Sequence, residues 1–329
     1  MTSDSPASDN TAPTMRAVQI TGYGGLENLQ LREIPRPRPR SGQVLVRVHA
    51  AGVNPFDCKV RAGRLAGFYP LELPATAGAD FAGEVVEVSE GVTRLKVGDR
   101  VYGLCNPLQG GCYAEFLAVD EQLARVMPSN ISYEAGAALP MVGQTALYAL
   151  DTLGQVKAGD NVLVHAGAGG VGAVAIQIAK HRGARVFATC SARNIEAVRA
   201  LGADVVIDYT TTDFRTVAKD IDLAVDPLGE EVNLHTYEVM RPGGTILVVL
   251  RYNPTEMQNR AAMSEKYRVQ VKEVAFENEP ELLDQLREWV EAGAIDSNVR
   301  TVLPFEKAAE AQELSGSGHA SGKIVLKIV

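Results

Sequence analysis

The sequence predicts an α/β protein in which a compact, barrel-like β domain is followed by a doubly wound parallel sheet. Three observations carry this prediction. Residues 15–138 show short β-like segments punctuated by Gly, Pro and Asn. From residue 139 onward, short buried strands alternate with amphipathic helices. The glycines, 31 of 329 residues, cluster at a turn over 167–172, between one such strand and its helix.

The N-terminal residues 1–14 are predicted to be a disordered tail, because they are small or polar and offer nothing large to bury. They also lack the basic and apolar regions of a secretory signal. The most apolar stretch, residues 162–179, is interrupted by His165, Gln177 and glycines, which fits a membrane helix poorly. We therefore expect a soluble protein with no membrane partner.

Charge and cysteine content narrow the class of protein further. The chain carries 32 Lys and Arg against 40 Asp and Glu, and the resulting net charge of −8 repels a phosphate backbone. We expect no nucleic-acid partner. Four cysteines without CxxC spacing cannot form a disulfide framework, so the reducing cytoplasm is the expected location.

The β-like part begins at residue 15, and its clearest strand has valines at 44, 46 and 48 that alternate with Leu45, Arg47 and His49. The run PRPRPR at 35–40 is predicted to be a solvated loop, because alternating prolines impose extended geometry.

In the second part we predict strands at 162–165, 185–189, 205–208, 222–226 and 245–250, with helices between them. The apolar strand 245–250 is expected at the sheet edge, where it could pair with its copy in a homodimer.

The C-terminal region adds one helix and one strand. Leu282, Leu286 and Trp289 mark the apolar face of the helix, and Ile324, Leu326 and Ile328 alternate as in a strand. That strand could return to the first domain. We therefore divide the chain into a discontinuous first domain, residues 15–138 and 276–329, and a second domain, residues 139–275.

The glycine cluster has the spacing Gly167-x-Gly169-x-x-Gly172 between a predicted strand and a predicted helix, the context in which this pattern binds a dinucleotide. Gly167 allows the tight turn, Gly169 lets the backbone approach a pyrophosphate, and Gly172 permits close packing of the helix. A glycine-rich turn without a ligand is the alternative. The residues assigned to the cofactor here are Gly167, Ala168, Gly169, Gly170, Val171 and Gly172.

The end of the next strand distinguishes the two nicotinamide cofactors, because an acid there binds the ribose 2′-OH of NAD and repels the 2′-phosphate of NADP. Cys190 holds the place of that acid. Ser191 offers a hydroxyl and Arg193 a permanent, fork-shaped cation suited to phosphate, and Asn194 follows them. We predict NADPH. A helix-capping serine followed by a surface arginine is the alternative, and the two interpretations are compatible.

Several ordered blocks resemble the medium-chain dehydrogenase/reductase superfamily, most closely its zinc-independent quinone oxidoreductase branch. The resemblance runs from about residue 15 to residue 329 and implies a GroES-like β-barrel catalytic domain, a Rossmann domain, a cofactor cleft between them, and usually a homodimer. The blocks are AGVNPFDCK at 51–59, GADFAG at 78–83, VGDRV at 97–101, GQTA at 143–146, the turn at 165–172 and GHASGK at 318–323.

Zinc-dependent relatives carry a Cys at the place of Asn54 and a His at that of Ala79, and neither residue present here is an ordinary zinc ligand. We therefore expect no metal. Hydride donation without a metal needs an acceptor made electron-poor by its own carbonyl, which predicts an NADPH-dependent reductase of quinones or α,β-unsaturated carbonyl compounds. The alternatives are an enoyl-thioester reductase of the same superfamily and a non-catalytic NADPH-binding protein.

The resemblance also assigns individual site residues. It implies that Asn54 and Thr145 lie near the nicotinamide and that Tyr209 contacts the cofactor. Leu250, at the start of the loop 250–256 that we expect to line the acceptor pocket, is also assigned to cofactor binding. Lys59 is a candidate donor to the substrate carbonyl or a ribose hydroxyl, with an exposed surface lysine as the alternative. Tyr69 is a candidate proton donor, with loop packing or protonation by solvent as alternatives.

Three further polar residues are given structural expectations. His165 is expected to be a buried, hydrogen-bonded structural residue. Asp57 and Asp80 could pair as acid and base, but Asp80 is expected instead to orient the backbone or an arginine. Several relatives carry an arginine at the place of Ser321, so we expect no cofactor contact from residues 318–323.

Overall fold

The computed structural model describes residues 13–68, 70–106, 108, 111–249, 254–275, 278–318 and 320–329. Tyr69 and Leu250, both predicted site residues, lie outside the described residues, as do residues 1–12 of the predicted tail. Thr14, which we included in that tail, is the first residue of a strand.

The chain up to residue 147 forms mainly strands, as predicted for the first domain, but that domain also contains two helices, at 55–61 and 133–137, that the short β-like pattern did not reveal. Helix formation at 55–61 is helped by Pro55 at its first turn and by the Asp57 carboxylate, which accepts a hydrogen bond from the Asn54 N–H. The elements are β1 (Thr14–Ile20), β2 (Leu29–Pro35), β3 (Gln43–Val53), α1 (Pro55–Arg61), β4 (Ala75–Thr76), β5 (Asp80–Val88), β6 (Arg100–Leu104), β7 (Phe116–Asp120), β8 (Ala124–Val126), α2 (Tyr133–Ala137) and α3 (Pro140–Leu147).

The second part alternates strands and helices. Helix α4 is buried from Gly172 to Ala179, and apart from Gln177 this stretch is apolar, as expected for a helix covered on most sides. The elements are β9 (Asn161–Val164), α4 (Gly170–His181), β10 (Arg185–Cys190), α5 (Ile195–Ala200), β11 (Val205–Asp208), α6 (Phe214–Val217), β12 (Ile221–Asp226), α7 (Glu230–Thr236), β13 (Met240–Val249), α8 (Pro254–Tyr267), β14 (Gln270–Val274), α9 (Glu281–Glu291), β15 (Val299–Pro304), α10 (Ala308–Gly316) and β16 (Lys323–Lys327).

Within the described residues, seven strands form a sheet around β3, which pairs with β5, β7 and β16, all antiparallel. In the β16–β3 pair, Ile324 lies opposite Val53 and Leu326 lies opposite Ala51. This confirms the predicted return of the C-terminal strand to the first sheet. A smaller sheet of β2, β1 and β4 lies beside it in the described part of the chain.

Six strands of the described chain form a fully parallel sheet in the order β11-β10-β9-β12-β13-β14. The chain leaves β9 toward β10 on one side and later returns to place β12 on the other. This reversal of direction at β9 is the position where open parallel sheets bind ligands. The predicted doubly wound sheet is confirmed.

One detail of the sequence prediction is wrong. The strand predicted over 245–250 is not at the edge, because β14 pairs with β13 and places Val274 opposite Val249. The QVKEV sequence of β14 is short and half polar, as suits an edge, and gives little alternation to detect. The predicted C-terminal helix is α9, in which Leu283, Leu286 and Val290 are buried while Leu282 and Trp289 are half-buried and pack against the same core.

The two large sheets share one hydrophobic core. Ala82 and Tyr102 of the first sheet pack in the same cluster as Leu139 and Val142 beside the parallel sheet. The Tyr102 hydroxyl also donates to the Leu283 carbonyl over 2.6 Å. The first sheet therefore packs directly against the helices that accompany the parallel sheet. Among the described residues, no helix has both the length and the apolar character needed to cross a bilayer.

Candidate active site

The glycine turn follows β9 at the carboxyl edge of the parallel sheet. Its left-handed residue is Ala166, with φ of 51°, whereas at Gly167 space is tight, because a Cβ there would lie 3.1 Å from the Ala188 methyl group. At Gly172 a Cβ would lie 2.3 Å from the Ala166 carbonyl oxygen, so the helix contacts the turn directly. At Gly169 a Cβ would lie 3.2 Å from the same Ala166 oxygen.

This turn has the donors that a pyrophosphate requires. Helix α4 begins at Gly170 and is capped by Gly169, which has no side chain to satisfy the first-turn N–H groups. Gly169, Gly170 and Val171 are half-buried, while Gly167, Ala168 and Gly172 are buried. The backbone N–H groups and the positive end of the helix dipole therefore suit an anion.

The end of β10 brings together two of the residues assigned to cofactor selection. The Asn194 amide donates to the Ser191 hydroxyl over 3.1 Å, while the Ser191 side chain makes no helix-capping bond. Arg193 and Tyr209 are both exposed, and the Tyr209 N–H bonds to the Cys190 carbonyl. Polar side chains, one cation and an aromatic ring therefore lie around this strand end.

One acid in this region was not foreseen. Asp208, at the end of β11, lies opposite Cys190. Burial, together with the charge of Asp208, raises the pKa of the Cys190 thiol. Its carboxylate accepts hydrogen bonds from the Thr210 side chain and backbone, which lower its own pKa. The Asp208 carboxylate is thus hydrogen-bonded within the turn after β11, whereas the acid of an NAD site is expected at the end of the neighbouring strand β10.

A buried polar cluster forms where β3, β5 and β16 meet. The Lys323 ammonium donates to Asn54 Oδ1 over 2.6 Å and pairs with Asp80 Oδ2 at 3.2 Å, while the Asn54 amide donates to Asp80 Oδ2 over 2.9 Å. The other Asp80 oxygen accepts the Met141 N–H over 2.8 Å. Asp80 orients backbone, as expected, but the cation beside it is a lysine rather than the expected arginine.

The C-terminal segment connects this cluster to the glycine turn. The Gly322 N–H donates to the Ala168 carbonyl over 2.7 Å, and the Ser321 hydroxyl donates to Asn194 over 2.9 Å. We expected no cofactor contact from this segment, but the structure places it against residues that we assign to cofactor binding. The strand pattern of β16 did not reveal this position, because it depends on pairing with β3.

The remaining predicted residues lie as follows. Thr145 is buried in α3, and its hydroxyl donates to the Met141 carbonyl over 2.7 Å. Lys59 is half-buried on α1. His165 is buried between the hydroxyls of Thr189 and Thr236, and burial lowers its pKa to about 4, which confirms the structural role predicted for it.

Asp57 forms a second buried acid beside this cluster. Its Oδ2 accepts the Asn54 N–H over 2.8 Å and the Tyr113 hydroxyl over 3.1 Å. Burial, reinforced by the charge of Asp80, raises the pKa of Asp57 to about 7, while the Asn54 bond opposes the shift. The folded chain therefore holds a carboxyl group that changes charge near neutral pH.

We expect the stability of the protein to fall as the pH rises through this range. The folded-state pKa of Asp57 lies near 7 and the ordinary value for an aspartate is 3.8, so between these values the folded chain binds more protons than the unfolded chain. The loss amounts to at most about 4 kcal/mol between about pH 4 and pH 8. Asp57→Asn should remove this component in urea unfolding measured across that range, whereas a constant difference between variant and wild type would contradict it.

In the described part of the chain, no group of three His, Cys, Asp or Glu side chains is placed to hold a metal ion. The four cysteines are free thiols.

Two family models match the chain. The model described as an alcohol dehydrogenase GroES-like domain matches residues 40–129, and the one described as a zinc-binding dehydrogenase matches residues 201–326.

Known proteins are similar over nearly the whole length. A chloroplast envelope quinone oxidoreductase homolog of Arabidopsis thaliana is 35% identical over 95% of this chain and 98% of its own. A 2-methylene-furan-3-one reductase of Solanum lycopersicum is 34% identical over 95% of this chain and 79% of its own. The solved structure of the quinone oxidoreductase from Coxiella burnetii is 33% identical, with a TM-score of 0.89, over 96% of this chain and all of that one.

Proposed function

Because this chain belongs to the medium-chain dehydrogenase/reductase superfamily, in its quinone and enone oxidoreductase branch, we propose that it is an NADPH-dependent reductase of quinones or α,β-unsaturated carbonyl compounds. The observation that carries the proposal is the glycine turn at the switch point of the parallel sheet, with the Asn54 cluster tied to it through β16. The names of these relatives favour this activity over enoyl-thioester reduction and over a non-catalytic role.

The residues of the turn would bind the cofactor, which supplies a hydride when bound. The first-turn N–H groups of α4 would hold the pyrophosphate, and Asn54 and Thr145 would orient the nicotinamide end beside the acceptor. Lys59 and Tyr69 remain our candidates for the donor to the acceptor oxygen. A proton from one of them or from solvent completes the reduction, because the hydride delivers only one of the two hydrogens.

We propose that the reaction needs no metal. The Asn54 side chain is committed to Lys323 and Asp80, and Ala79 has no donor atom. The Lys323 ammonium also lies 2.6 Å from Asn54 Oδ1, where its positive charge would repel a metal cation.

The preference for NADPH rests on the end of β10. Ser191, Arg193 and Asn194 provide polar groups and a cation there, and the buried Cys190 provides no charge. Asp208, whose carboxylate is engaged by Thr210, is the feature that favours NADH. The free thiols suit a reducing compartment, and we propose the cytoplasm.

We propose that the protein is a homodimer. With β13 covered, β14 is the last strand on one side of the parallel sheet among the described residues, and we propose that this edge faces the second copy. Light scattering after size exclusion should give twice the mass of one chain at micromolar concentration, and a monomeric mass would contradict the proposal.

The test of the proposed activity is oxidation of NADPH, followed by its absorbance, with panels of quinones, enones and enoyl thioesters and with NADH in parallel. We expect turnover with quinones or enones and faster turnover with NADPH than with NADH. Oxidation restricted to enoyl thioesters would support the alternative reductase. NADPH binding without turnover of any acceptor would refute the enzymatic proposal.

A further inference from the structure

We propose that Asp80 and Lys323 form a positioning pair that fixes the orientation of the Asn54 carboxamide toward the bound cofactor and acceptor. This inference rests on the proposed function, in which Asn54 lies at the reacting end of the cofactor. It assigns a role in the reaction to a lysine near the C-terminus, which lies 269 residues from Asn54 in the chain.

The hydrogen-bonding capacities of the three groups determine how the Asn54 amide is oriented. An ammonium group can only donate, and a carboxylate can only accept. Asn54 lies between them, with Oδ1 at 2.6 Å from the Lys323 nitrogen and Nδ2 at 2.9 Å from an Asp80 oxygen. A flipped amide would place donor against donor and acceptor against acceptor. The pair therefore permits one orientation, which leaves the second Nδ2 hydrogen as the donor that Asn54 can offer to a ligand.

The hydrogen-bonding capacity of the Lys323 ammonium is satisfied entirely by protein groups. Its nitrogen has three acceptors, namely Asn54 Oδ1, Asp80 Oδ2 at 3.2 Å and the Val53 carbonyl at 3.4 Å, which matches its three hydrogens. The side chain is 4% exposed. Lys323 is therefore placed to act on the reaction through Asn54 rather than by touching the substrate.

The pair also contacts the two helices that would bind the cofactor, α4 at its first turn and α3 through Met141. A Cβ at Gly170, in the first turn of α4, would lie 3.1 Å from Cδ of Lys323. Asp80 holds the N–H of Met141, whose carbonyl accepts the Thr145 hydroxyl. Replacing either residue of the pair would thus alter the orientation of Asn54 and the position of the helix that carries Thr145.

A purely structural ion pair is the competing explanation. Removing one partner of a buried pair leaves an unpaired charge and destabilises a protein strongly, whereas removing both charges together is often neutral. The neutral double variant Asp80→Asn with Lys323→Met is therefore the informative one. An asparagine can both donate and accept, and a methionine has no ammonium to donate, so neither new side chain fixes the orientation of the Asn54 amide. Lys323→Met alone is the second variant, and its stability shows how much the charge balance matters.

The experiment is a double-mutant cycle between the pair and Asn54. We expect Asn54→Ala to lower kcat for the best acceptor by about tenfold or more in the wild-type background. In the neutral double variant kcat should already be lowered to a similar degree, and adding Asn54→Ala should change it less than about twofold. The melting temperature of each variant is measured alongside. Arg125→Met is the matched control, since it removes another buried, ion-paired cation away from the site and should leave kcat unchanged.

Independent, multiplying effects of the pair and of Asn54→Ala on kcat would overturn the proposal. A neutral double variant with wild-type kcat would also overturn it, as would an Asn54→Ala variant with no effect. If the wild-type protein turns over no acceptor, the proposed function fails, and the same cycle is then measured on the NADPH dissociation constant by nicotinamide fluorescence. In that case coupling in the dissociation constants supports the positioning pair, and additivity or no effect refutes it.

Discussion

Gly172→Val is expected to abolish cofactor binding, with a rise of at least about 100-fold in the NADPH dissociation constant. A Cβ at this position would lie 2.3 Å from the Ala166 oxygen and 3.0 Å from Cα of Gly167. Both are backbone atoms, which cannot rotate away as a flexible side chain can. Helix α4 must therefore separate from the turn, and the N–H groups of its first turn move away from the phosphate position.

The measurement is NADPH titration by nicotinamide fluorescence, with circular dichroism to verify the secondary structure. Gly316→Ala is the matched control, because a Cβ there would meet one atom, the Cys58 sulfur, at an ordinary 3.9 Å. This control should bind NADPH as the wild type does. A folded Gly172→Val variant with an unchanged dissociation constant would show that the cofactor does not lie on this turn.

Arg193→Ala is expected to raise the KM for NADPH by about 10- to 100-fold and to leave the KM for NADH nearly unchanged. A hydrogen bond between a guanidinium group and a phosphate is worth about 1.5–3 kcal/mol, and only NADPH carries the 2′-phosphate. The two cofactors thus act as internal controls for each other in the same protein preparation.

Arg199→Ala is the control variant for this prediction. Arg199 is also an exposed arginine, but it lies on α5 and pairs with Glu196. It should change neither KM. Equal changes with both cofactors in Arg193→Ala would place the arginine near a shared part of the cofactor. A wild-type preference for NADH would instead indicate that the charge of Asp208 decides selectivity.

The parallel sheet was predictable because its strands are short apolar runs and its helices have clear periods. The prediction for 205–208 coincides with Val205–Asp208. The half-polar strand Gln270–Val274 escaped detection because edge strands need not alternate strongly. The helices α1 and α2 were missed because they are short and interrupt a β-rich region.

The cofactor turn was also accessible from sequence, since a local motif of three glycines forms it. The Asn54 cluster was not, because its members lie far apart in the chain and meet only through strand pairing. A lysine next to the alternating residues Ile324 and Leu326 is typical of a solvent-exposed strand end. Its burial depends on the register of β16 against β3, which the local sequence does not specify.

The pairing of β16 with β3 has a consequence for the order in which the protein folds during synthesis. Val53 leaves the ribosome 270 residues before Lys323 does, so the first sheet must wait for its last strand until the chain is nearly complete. The parallel sheet, whose strands all lie between these two, can assemble earlier. Contacts between such distant segments are slow to form. The group that orients Asn54 is therefore among the last to arrive, and a nascent chain that already holds the glycine turn still lacks the completed site.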